Sequence, residues 1–181
     1  YEIHHKIIDT RHHGIPQCRP RWYCVGIRKD FKRTDFKFPE NIDAATIEDL
    51  LDPCETKYRI TYKSTSETAQ TNISQAEKDI VKNQGDINDN YIVDCDASLA
   101  KSKYIKDLSP CLTRSRYQGH WITSRQRRMS TNEMFKLQGI NPDDFEIAVT
   151  DKAIREQLGN AMSLNVIERI LHQAINATVL S

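Results

Sequence analysis

Residues 14–21 of the chain read Gly-Ile-Pro-Gln-Cys-Arg-Pro-Arg, and they lie between two segments with the pattern of β-strands. Ahead of them, Ile3, His5 and Ile7 occupy alternate positions, which predicts a strand over 2–8. After them, residues 22–27 are rich in aromatic and β-branched types, which predicts a returning strand. The two strands should pair antiparallel across the Gly-Ile-Pro turn. Because two strands do not form a stable sheet alone, we expect further strands from upstream residues or from a partner chain.

Within the same stretch, Gln17, Arg19 and Arg21 occupy alternate positions. Alternate side chains of an extended segment point to the same side, so two guanidinium groups and one amide would form a row there. Such a row can bind a phosphate or the edge of a base. The alternative is a basic edge strand whose charges deter aggregation, and spacing alone does not decide between the two.

The composition indicates a soluble globular protein of one ordinary domain or two small ones, since the chain has 181 residues and a hydrophobic fraction of 38%. No apolar run approaches the roughly 20 residues that cross a membrane. The five cysteines are an odd number without close pairs, which is typical of reduced thiols in an intracellular protein. The chain begins at Tyr1 without a secretory pattern. We therefore expect a fragment of an intracellular protein, located in the nucleus or the cytoplasm.

Charge is strongly segregated along the chain, although the formal net charge is only +1. Residues 1–37 contain nine Lys and Arg against four Asp and Glu, and residues 101–128 contain eight against one. Residues 38–100 contain five against thirteen. A polyanion would therefore be attracted to the two basic stretches and not to the whole surface.

The second basic stretch mixes cations with aromatic side chains over residues 112–128. Arginines neutralise phosphates, and aromatic rings stack on unpaired bases. The candidate nucleic-acid contacts are Arg114, Arg116, Tyr117, Arg125 and Arg128. The alternative is an ordinary solvated loop whose Trp121 packs into the core.

Two further short motifs lie near the C-terminal end of the chain. We call residues 14–21 the first word, residues 128–139 the second word and residues 157–161 the third word. Residues 128–133 read Arg-Met-Ser-Thr-Asn-Glu and continue to Leu-Gln-Gly at 137–139. Ser130 and Glu133 form a capping box, and Gly139 is a natural stop, so this word predicts a helix over 131–138.

The last word reads Gln-Leu-Gly-Asn-Ala at 157–161 and separates two predicted helices. The first is capped by Thr150 or Asp151 and runs to about Leu158. The second runs over 163–177, and its predicted apolar face consists of Leu164, Ile167, Leu171 and Ala174. A Gly-Asn pair at a helix start offers an amide and backbone N–H groups to a carboxylate. The alternative is a plain corner with Asn160 as N-cap.

The middle of the chain carries weaker patterns. They predict a short helix over 43–51, strands over 58–63 and 91–95, and a weak helix over 73–82 in polar sequence. This region has little apolar material, so we expect loops around a small irregular sheet.

Taken together and in this order, the three words resemble the last three sequence blocks of the DNA (cytosine-5) methyltransferases. The Gln-x-Arg-x-Arg pattern matches at all three positions, and the long segment after it lies where that family has its target recognition domain. The sequence departs from the family pattern at Ser130, where Thr is usual, at 140–142, where Phe-Pro is common, and at 162–163, where Val-Pro is common.

The resemblance implies an α/β fold with three parts. Residues 1–52 would form the edge of the sheet of an S-adenosylmethionine-dependent methyltransferase. Residues 53–150 would form a small, irregular, mostly β recognition domain, and residues 151–181 would be C-terminal helices that return to the catalytic domain.

The resemblance also implies roles for single residues. Arg21 would contact the cytosine turned out of double-stranded DNA, with Gln17 and Arg19 in the same active site. Asn160 and Ala161 would border the pocket of the cofactor S-adenosyl-L-methionine. In this family a cysteine thiolate adds to carbon-6 of the cytosine, and carbon-5 then takes the methyl group. The position of Arg128 matches an arginine that organises the recognition domain.

The family's nucleophile is a Cys between Pro and Gln, and these 181 residues contain no such triplet. Cys54 and Cys111 follow prolines, but neither is followed by Gln, and both come after the first word. We therefore expect the C-terminal portion of an enzyme, inactive alone, whose N-terminal catalytic part lies in the same parent chain or in a separate subunit.

Two alternatives remain from the sequence. The chain could belong to a non-catalytic, sequence-specific DNA-binding module, or to a tRNA cytosine-5 methyltransferase. We expect no metal site, because the pairs His4-His5 and His12-His13 lack further ligands at a suitable spacing. We also expect no contact with membranes.

Overall fold

The computed structural model describes residues 1–53, 66–144 and 146–179, so Cys54 and the strand predicted over 58–63 lie outside the described residues. The described strands are β1 (Glu2–Asp9), β2 (Pro20–Ile27), β3 (Tyr91–Val93), β4 (Tyr104–Lys106), β5 (Trp121–Ile122) and β6 (Arg127–Arg128). The described helices are α1 (Ile47–Leu50), α2 (Glu67–Lys82), α3 (Thr131–Leu137), α4 (Asp151–Asn160) and α5 (Leu164–Asn176). In this part of the chain, no helix has both the length and the apolar character needed to cross a membrane.

The first sheet is the predicted hairpin of β1 and β2. The two strands pair antiparallel along their full length, with Ile8 opposite Arg21. In the connection between them Gly14 has a φ of 97°, a conformation that favours glycine because it has no side chain to clash. The predicted strands, their pairing and the turn are therefore confirmed.

Helix α5 covers one face of this hairpin. Val166 and Ile170 pack in one apolar cluster with Ile8 and Tyr23 of the strands. The predicted apolar face was partly wrong, because Leu171 is 53% exposed. Apolar residues occupy more than one face of α5, so helical periodicity alone could not tell which face is buried.

The opposite face of the hairpin is also apolar, and none of the described residues covers it. Its members Ile3, Ile7 and Trp22 are 59%, 68% and 62% exposed. Ile7 and Trp22 are direct cross-strand partners. We call these three side chains the outer apolar face. A sheet that is apolar on both faces is typical of folds with helices packed on both sides.

The second sheet has the strand order β4-β3-β5-β6, and each neighbouring pair is antiparallel. Its strands have only two or three residues each, which agrees with the small irregular sheet predicted for the middle of the chain. Helix α2 packs against it, since Ile73 lies in one buried cluster with Val93 and Trp121.

Helix α2 begins earlier than predicted, at Glu67 instead of residue 73. The Ser66 hydroxyl caps it by accepting from the backbone N–H of Ala69. Its buried apolar residues Ala69, Ile73, Ala76 and Ile80 recur at helical spacing. The pattern was weak because alanine contributes little hydrophobic signal.

The largest buried cluster joins parts of the chain that are far apart in sequence. Ile47, Met134 and Leu158 belong to it, and they come from the three predicted divisions 1–52, 53–150 and 151–181. The fold is therefore a mixed α/β arrangement with small antiparallel sheets and C-terminal helices. The three divisions, and the position of the hairpin at the edge of a larger sheet, remain predictions.

The ends of helices α1 and α3 carry capping residues that are visible in the sequence. The Ser130 hydroxyl accepts from the N–H of Glu133 and the Glu133 carboxylate accepts from the N–H of Ser130, so the predicted capping box is confirmed. Gly139 follows α3 with a φ of 71°. Helix α1 has a second capping box and is shorter than predicted.

Candidate nucleic-acid interface

The side chain of Gln17 is completely buried and links distant segments. Its Nε2 donates to the carbonyl oxygen of Leu137 at 2.6 Å, and its Oε1 accepts from the backbone N–H of Leu112 at 3.1 Å. Gln17 thereby links the first word by hydrogen bonds to the end of α3 and to the start of the basic stretch 112–128.

The side chain of Arg19 is also turned inward, with only 2% of the residue exposed. Its guanidinium donates to the carbonyl oxygens of Leu112, Gly159 and Ala161 and to the sulfur of Cys111. Burial lowers the pKa of Arg19. The first word is therefore tied to the third word by this guanidinium, which leaves little of it available to a ligand.

Arg21 differs from the other two because its side chain is only half-buried. Its guanidinium donates to the carbonyl oxygen of Pro20 at 2.8 Å and to Cys111 Sγ at 3.3 Å. An arginine has five N–H donors, so further donors remain for a ligand. The predicted row of three side chains thus has one accessible end.

Two neighbouring buried arginines, Arg127 just before the second word and Arg128 at its start, have different partners. Arg127 donates to both oxygens of the Glu133 carboxylate, at 2.7 Å and 2.8 Å, although no sequence signal singled it out beyond the basic stretch. Arg128 donates to both oxygens of Asp96, at 2.7 Å and 2.8 Å, and to the carbonyl oxygen of Gly119. Arg128 is 4% exposed, so its guanidinium is directed into the protein and not toward a surface ligand.

The remaining predicted nucleic-acid contacts separate into two places. Arg114 and Arg116 lie in a 3-10 turn, and Tyr117 follows at its end. We call residues Arg114–Tyr117 the basic turn. The Arg114 side chain is 69% exposed, whereas Arg116 donates to Asp94 at 2.6 Å. Arg125 lies at the other end of β5, in the turn to β6, and binds the carboxylate of Glu48. The basic stretch is therefore not one continuous loop.

The third word packs directly against the basic turn that begins at Arg114. A Cβ atom on Gly159 would lie 2.3 Å from the carbonyl carbon of Thr113 and 2.4 Å from the backbone nitrogen of Arg114. Only glycine permits this approach of α4 to the turn. The Gly-Asn pair ends α4, and Ser163 is the N-cap of α5. Both interpretations of the pair, backbone N–H groups at a helix start and Asn160 as N-cap, were therefore wrong.

Asn160 is exposed in the last turn of α4. Within the described residues its side-chain amide makes no hydrogen bond, and Ala161 beside it is half-buried. Asn160 borders an open cleft of about 550 Å³ between α4 and the turn. The other lining residues are Thr113, Arg114, Ser115, Tyr117 and Glu156. A candidate cofactor residue and two candidate nucleic-acid contacts therefore share one cleft.

Arg155 is a buried residue that sequence reasoning missed. Its guanidinium donates to the carbonyl oxygens of Tyr117, Gln118 and Met129 and, through Nε, to the hydroxyl of Thr131. Burial lowers its pKa. Arg155 joins α4 to both the basic turn and the second word.

Four of the cysteines lie in the described part of the chain. Cys18, Cys24, Cys95 and Cys111 are free thiols. Burial raises the pKa of Cys95 to about 11. Across the described ranges, no group of three or more His, Cys, Asp and Glu side chains could hold a metal ion.

Comparison with known families gives one match over nearly the whole chain. The model of the family described as C-5 cytosine-specific DNA methylase matches residues 1–176. All three words lie within the matched range.

Curated relatives agree with this match. The chain is 27% identical to the Type II methyltransferase M.HaeII of Haemophilus aegyptius, over 98% of the chain and 52% of the relative. It is also 27% identical to the Type II methyltransferase M.SsoII of Shigella sonnei, over 97% of the chain and 45% of the relative. The chain thus spans about half the length of these relatives.

A solved structure shares the fold. The Entamoeba histolytica methyltransferase EhMeth superposes with a TM-score of 0.55 at 18% sequence identity, over 97% of this chain and 53% of that one. At this identity the likeness concerns the fold alone.

Proposed function

Because the chain belongs to the C-5 cytosine-specific DNA methylase family, we propose that it is the C-terminal portion of a DNA (cytosine-5) methyltransferase. In that enzyme it recognises double-stranded DNA and completes the pockets of the cytosine and of S-adenosylmethionine. The family match over residues 1–176 carries the proposal. Since the chain spans about half the length of its relatives, the nucleophilic cysteine comes from the N-terminal portion.

On the cytosine side, Arg21 is the proposed contact with the base. Its half-buried guanidinium has donors left after its bonds to Pro20 and Cys111, and a cytosine presents carbonyl and ring-nitrogen acceptors. Buried Gln17 and Arg19 act as positioning residues, because their bonds to Leu137 and Leu112 hold the strand that carries Arg21. Extruding the base is required since its ring atoms are unreachable in the stack.

On the cofactor side, Asn160 and Ala161 form one wall of the S-adenosylmethionine pocket. The exposed amide of Asn160 has donors and an acceptor available, which fits a polar ligand such as the amino-acid end of this cofactor. S-adenosylmethionine supplies the methyl group when bound. The remaining walls of this pocket come from the N-terminal portion.

On the DNA side, Arg114, Arg116 and Tyr117 form the surface that neutralises phosphates, with Arg114 the most exposed of them. Buried Arg128 supports this surface from inside, because Asp96 holds its guanidinium group. Arg125, held by Glu48 at the other end of β5, is a second and separate candidate contact. The recognition domain organised in this way spans 53–150.

The outer apolar face of the hairpin is the proposed docking surface for the N-terminal portion. Ile7 and Trp22 are exposed cross-strand partners, and Ile3 is exposed on the same face of the hairpin. Exposed apolar patches mark interaction sites. The strands of a two-stranded sheet also have free edges that a further strand can join.

Methyl transfer by the full-length protein tests the proposal. The protein is incubated with S-adenosylmethionine labelled in the methyl group and with duplex DNA or transfer RNA, and the products are digested to nucleosides. We expect label in 5-methylcytosine from DNA. Label from transfer RNA alone would identify a tRNA methyltransferase, and sequence-specific DNA binding without label would identify a non-catalytic module.

A further inference from the structure

One carboxylate in the cleft beside α4 is shared by two exposed cations. Glu156 Oε2 lies 3.4 Å from Arg114 Nε, and Glu156 Oε1 lies 3.9 Å from Lys152 Nζ. The side chains of Arg114 and Lys152 are 69% and 65% exposed, whereas that of Glu156 is 25% exposed. Both ion pairs are long and solvated, so a stronger anion can exchange with the carboxylate.

The position of Lys152 is unfavourable for the helix that carries it. Lys152 is the second residue of α4, and a cation in the first turn opposes the helix dipole. Its ammonium lies 5.3 Å from the centre of the Tyr117 ring, within the range of a cation–π contact. The side chain is therefore directed toward the cleft and the basic turn.

The cleft offers the groups that bind phosphate. Its lining includes the hydroxyls of Thr113 and Ser115 and the guanidinium of Arg114. Guanidinium and hydroxyl groups are regular partners of phosphate oxygens in nucleic-acid complexes. Glu156 is the single acidic residue among the lining residues.

We propose that the cleft binds the phosphate backbone of double-stranded DNA, with Lys152 as a contact and Glu156 as an internal counter-ion. In the free protein Glu156 holds Arg114 and Lys152 at the cleft. When DNA binds, a phosphate takes the place of the carboxylate, and the remaining negative charge weakens the complex. This inference rests on the proposed function, because it names a further part of the same DNA-binding surface.

The sign of one substitution tests the proposal. Glu156→Gln in the full-length protein should bind a random-sequence duplex about threefold more tightly at low salt, and the gain should shrink as salt rises. Lys152→Gln should bind more weakly and flatten the slope of log affinity against log salt by about one. The matched controls Glu168→Gln on α5 and Lys82→Gln on α2 should change neither quantity.

Fluorescence anisotropy with labelled duplex DNA measures these affinities, and thermal unfolding midpoints show that each variant folds. The proposal is overturned if folded Glu156→Gln binds duplex DNA with unchanged or weaker affinity while the wild-type protein methylates DNA. It is equally overturned if the substitutions alter affinity for transfer RNA and not for DNA. Wild-type protein that neither binds nor methylates DNA contradicts the proposed function as well, so the two failures are distinguishable.

Discussion

At the scale of single residues, Arg21 has donors available to a ligand, whereas Arg19 uses its guanidinium inside the protein. A contact with an extruded cytosine acts after the duplex has bound, while phosphate contacts set the overall affinity. We expect Arg21→Ala in the full-length protein to lower single-turnover methylation by roughly a hundredfold. Its DNA affinity should fall by less than about threefold.

Rapid-quench methylation and equilibrium binding are measured on the same preparation of this variant. Arg28→Ala is the matched control, because Asp30 already holds that exposed guanidinium outside the proposed DNA surface, and its methylation rate should stay near that of the wild type. An unchanged rate with weakened binding of Arg21→Ala would show that Arg21 is only a phosphate contact.

Gly159 gives a second prediction at this scale. A Cβ atom there would overlap backbone atoms of Thr113 and Arg114, and backbone cannot rotate away as a side chain can. We expect Gly159→Ala to destabilise the protein by about 2–3 kcal/mol. The control is Gly26→Ala, where the nearest atom is the Ile3 side chain at 3.3 Å. Equal denaturant midpoints for the two variants would contradict the close approach.

The sequence could predict which residues of the first word share a side but not how deep each one lies. The alternation of Gln17, Arg19 and Arg21 has no information on burial, which depends on segments about 90 to 140 residues away. Arg155 was missed for the same reason, since its partners are backbone carbonyls 26 to 38 residues away. Backbone partners leave no pattern of residue types in a sequence.

At the scale of elements, sequence patterns predicted the structure correctly where residues close in sequence determine it alone. The capping box of α3 satisfies helix-end N–H groups within four residues, so its pattern sufficed. The apolar face of α5 depends on which side meets the hairpin, and here the prediction of Leu171 was wrong. The reason is that apolar residues occupy more than one face of α5, so helical spacing alone does not determine which face meets the hairpin.

Two buried histidines predict a dependence of stability on pH. Burial and the nearby Arg169 lower the pKa of His13, and burial lowers the pKa of His120. The unfolded chain then binds protons that the folded chain excludes, so stability is complete above the ordinary histidine pKa of 6.5 and falls as pH drops through it.

Thermal unfolding at a series of pH values measures this effect. We expect the unfolding midpoint to fall between about pH 7.5 and about pH 5.5. The double variant His13→Gln, His120→Gln should show a shallower fall, while exposed His172→Gln should behave as the wild type. Identical pH profiles for all three proteins would exclude the buried histidines as the cause.

At the scale of the whole molecule, the hydrogen bonds of Gln17 and Arg19 join the first word to the other two, a contact that the sequence did not predict. The division of the basic stretch was not predictable. Residues 112–128 contain the short strand β5, which separates Arg114 from Arg125, and a strand of two residues has no detectable periodicity.

The middle of the chain should choose the methylated sequence. Readout of bases requires side chains that a local fold presents to a groove. By the resemblance that the sequence indicates, the words at both ends are common to the whole family and would not encode one target. We expect residues 53–125, grafted into a related enzyme of known target, to transfer the new target. Sequencing of methylated sites measures the outcome. If the old target persists at full activity, specificity lies elsewhere.

Reconstitution from two separate pieces shows whether this chain is the recognition portion of a cytosine-5 methyltransferase. The chain is mixed with an N-terminal portion that carries the Pro-Cys-Gln loop, and transfer of labelled methyl groups to duplex DNA is measured for each piece and for the mixture. Trp22→Asp on the outer apolar face serves as the docking variant, and Val81→Asp serves as its control because Val81 is 60% exposed on α2.

We expect no transfer by either piece alone and formation of 5-methylcytosine by the mixture. The mixture with Val81→Asp should be active, and the mixture with Trp22→Asp should not. Transfer by the isolated chain above a boiled control, or a mixture in which both folded pieces stay inactive on DNA, would contradict the claim that this chain is the recognition portion of a cytosine-5 methyltransferase.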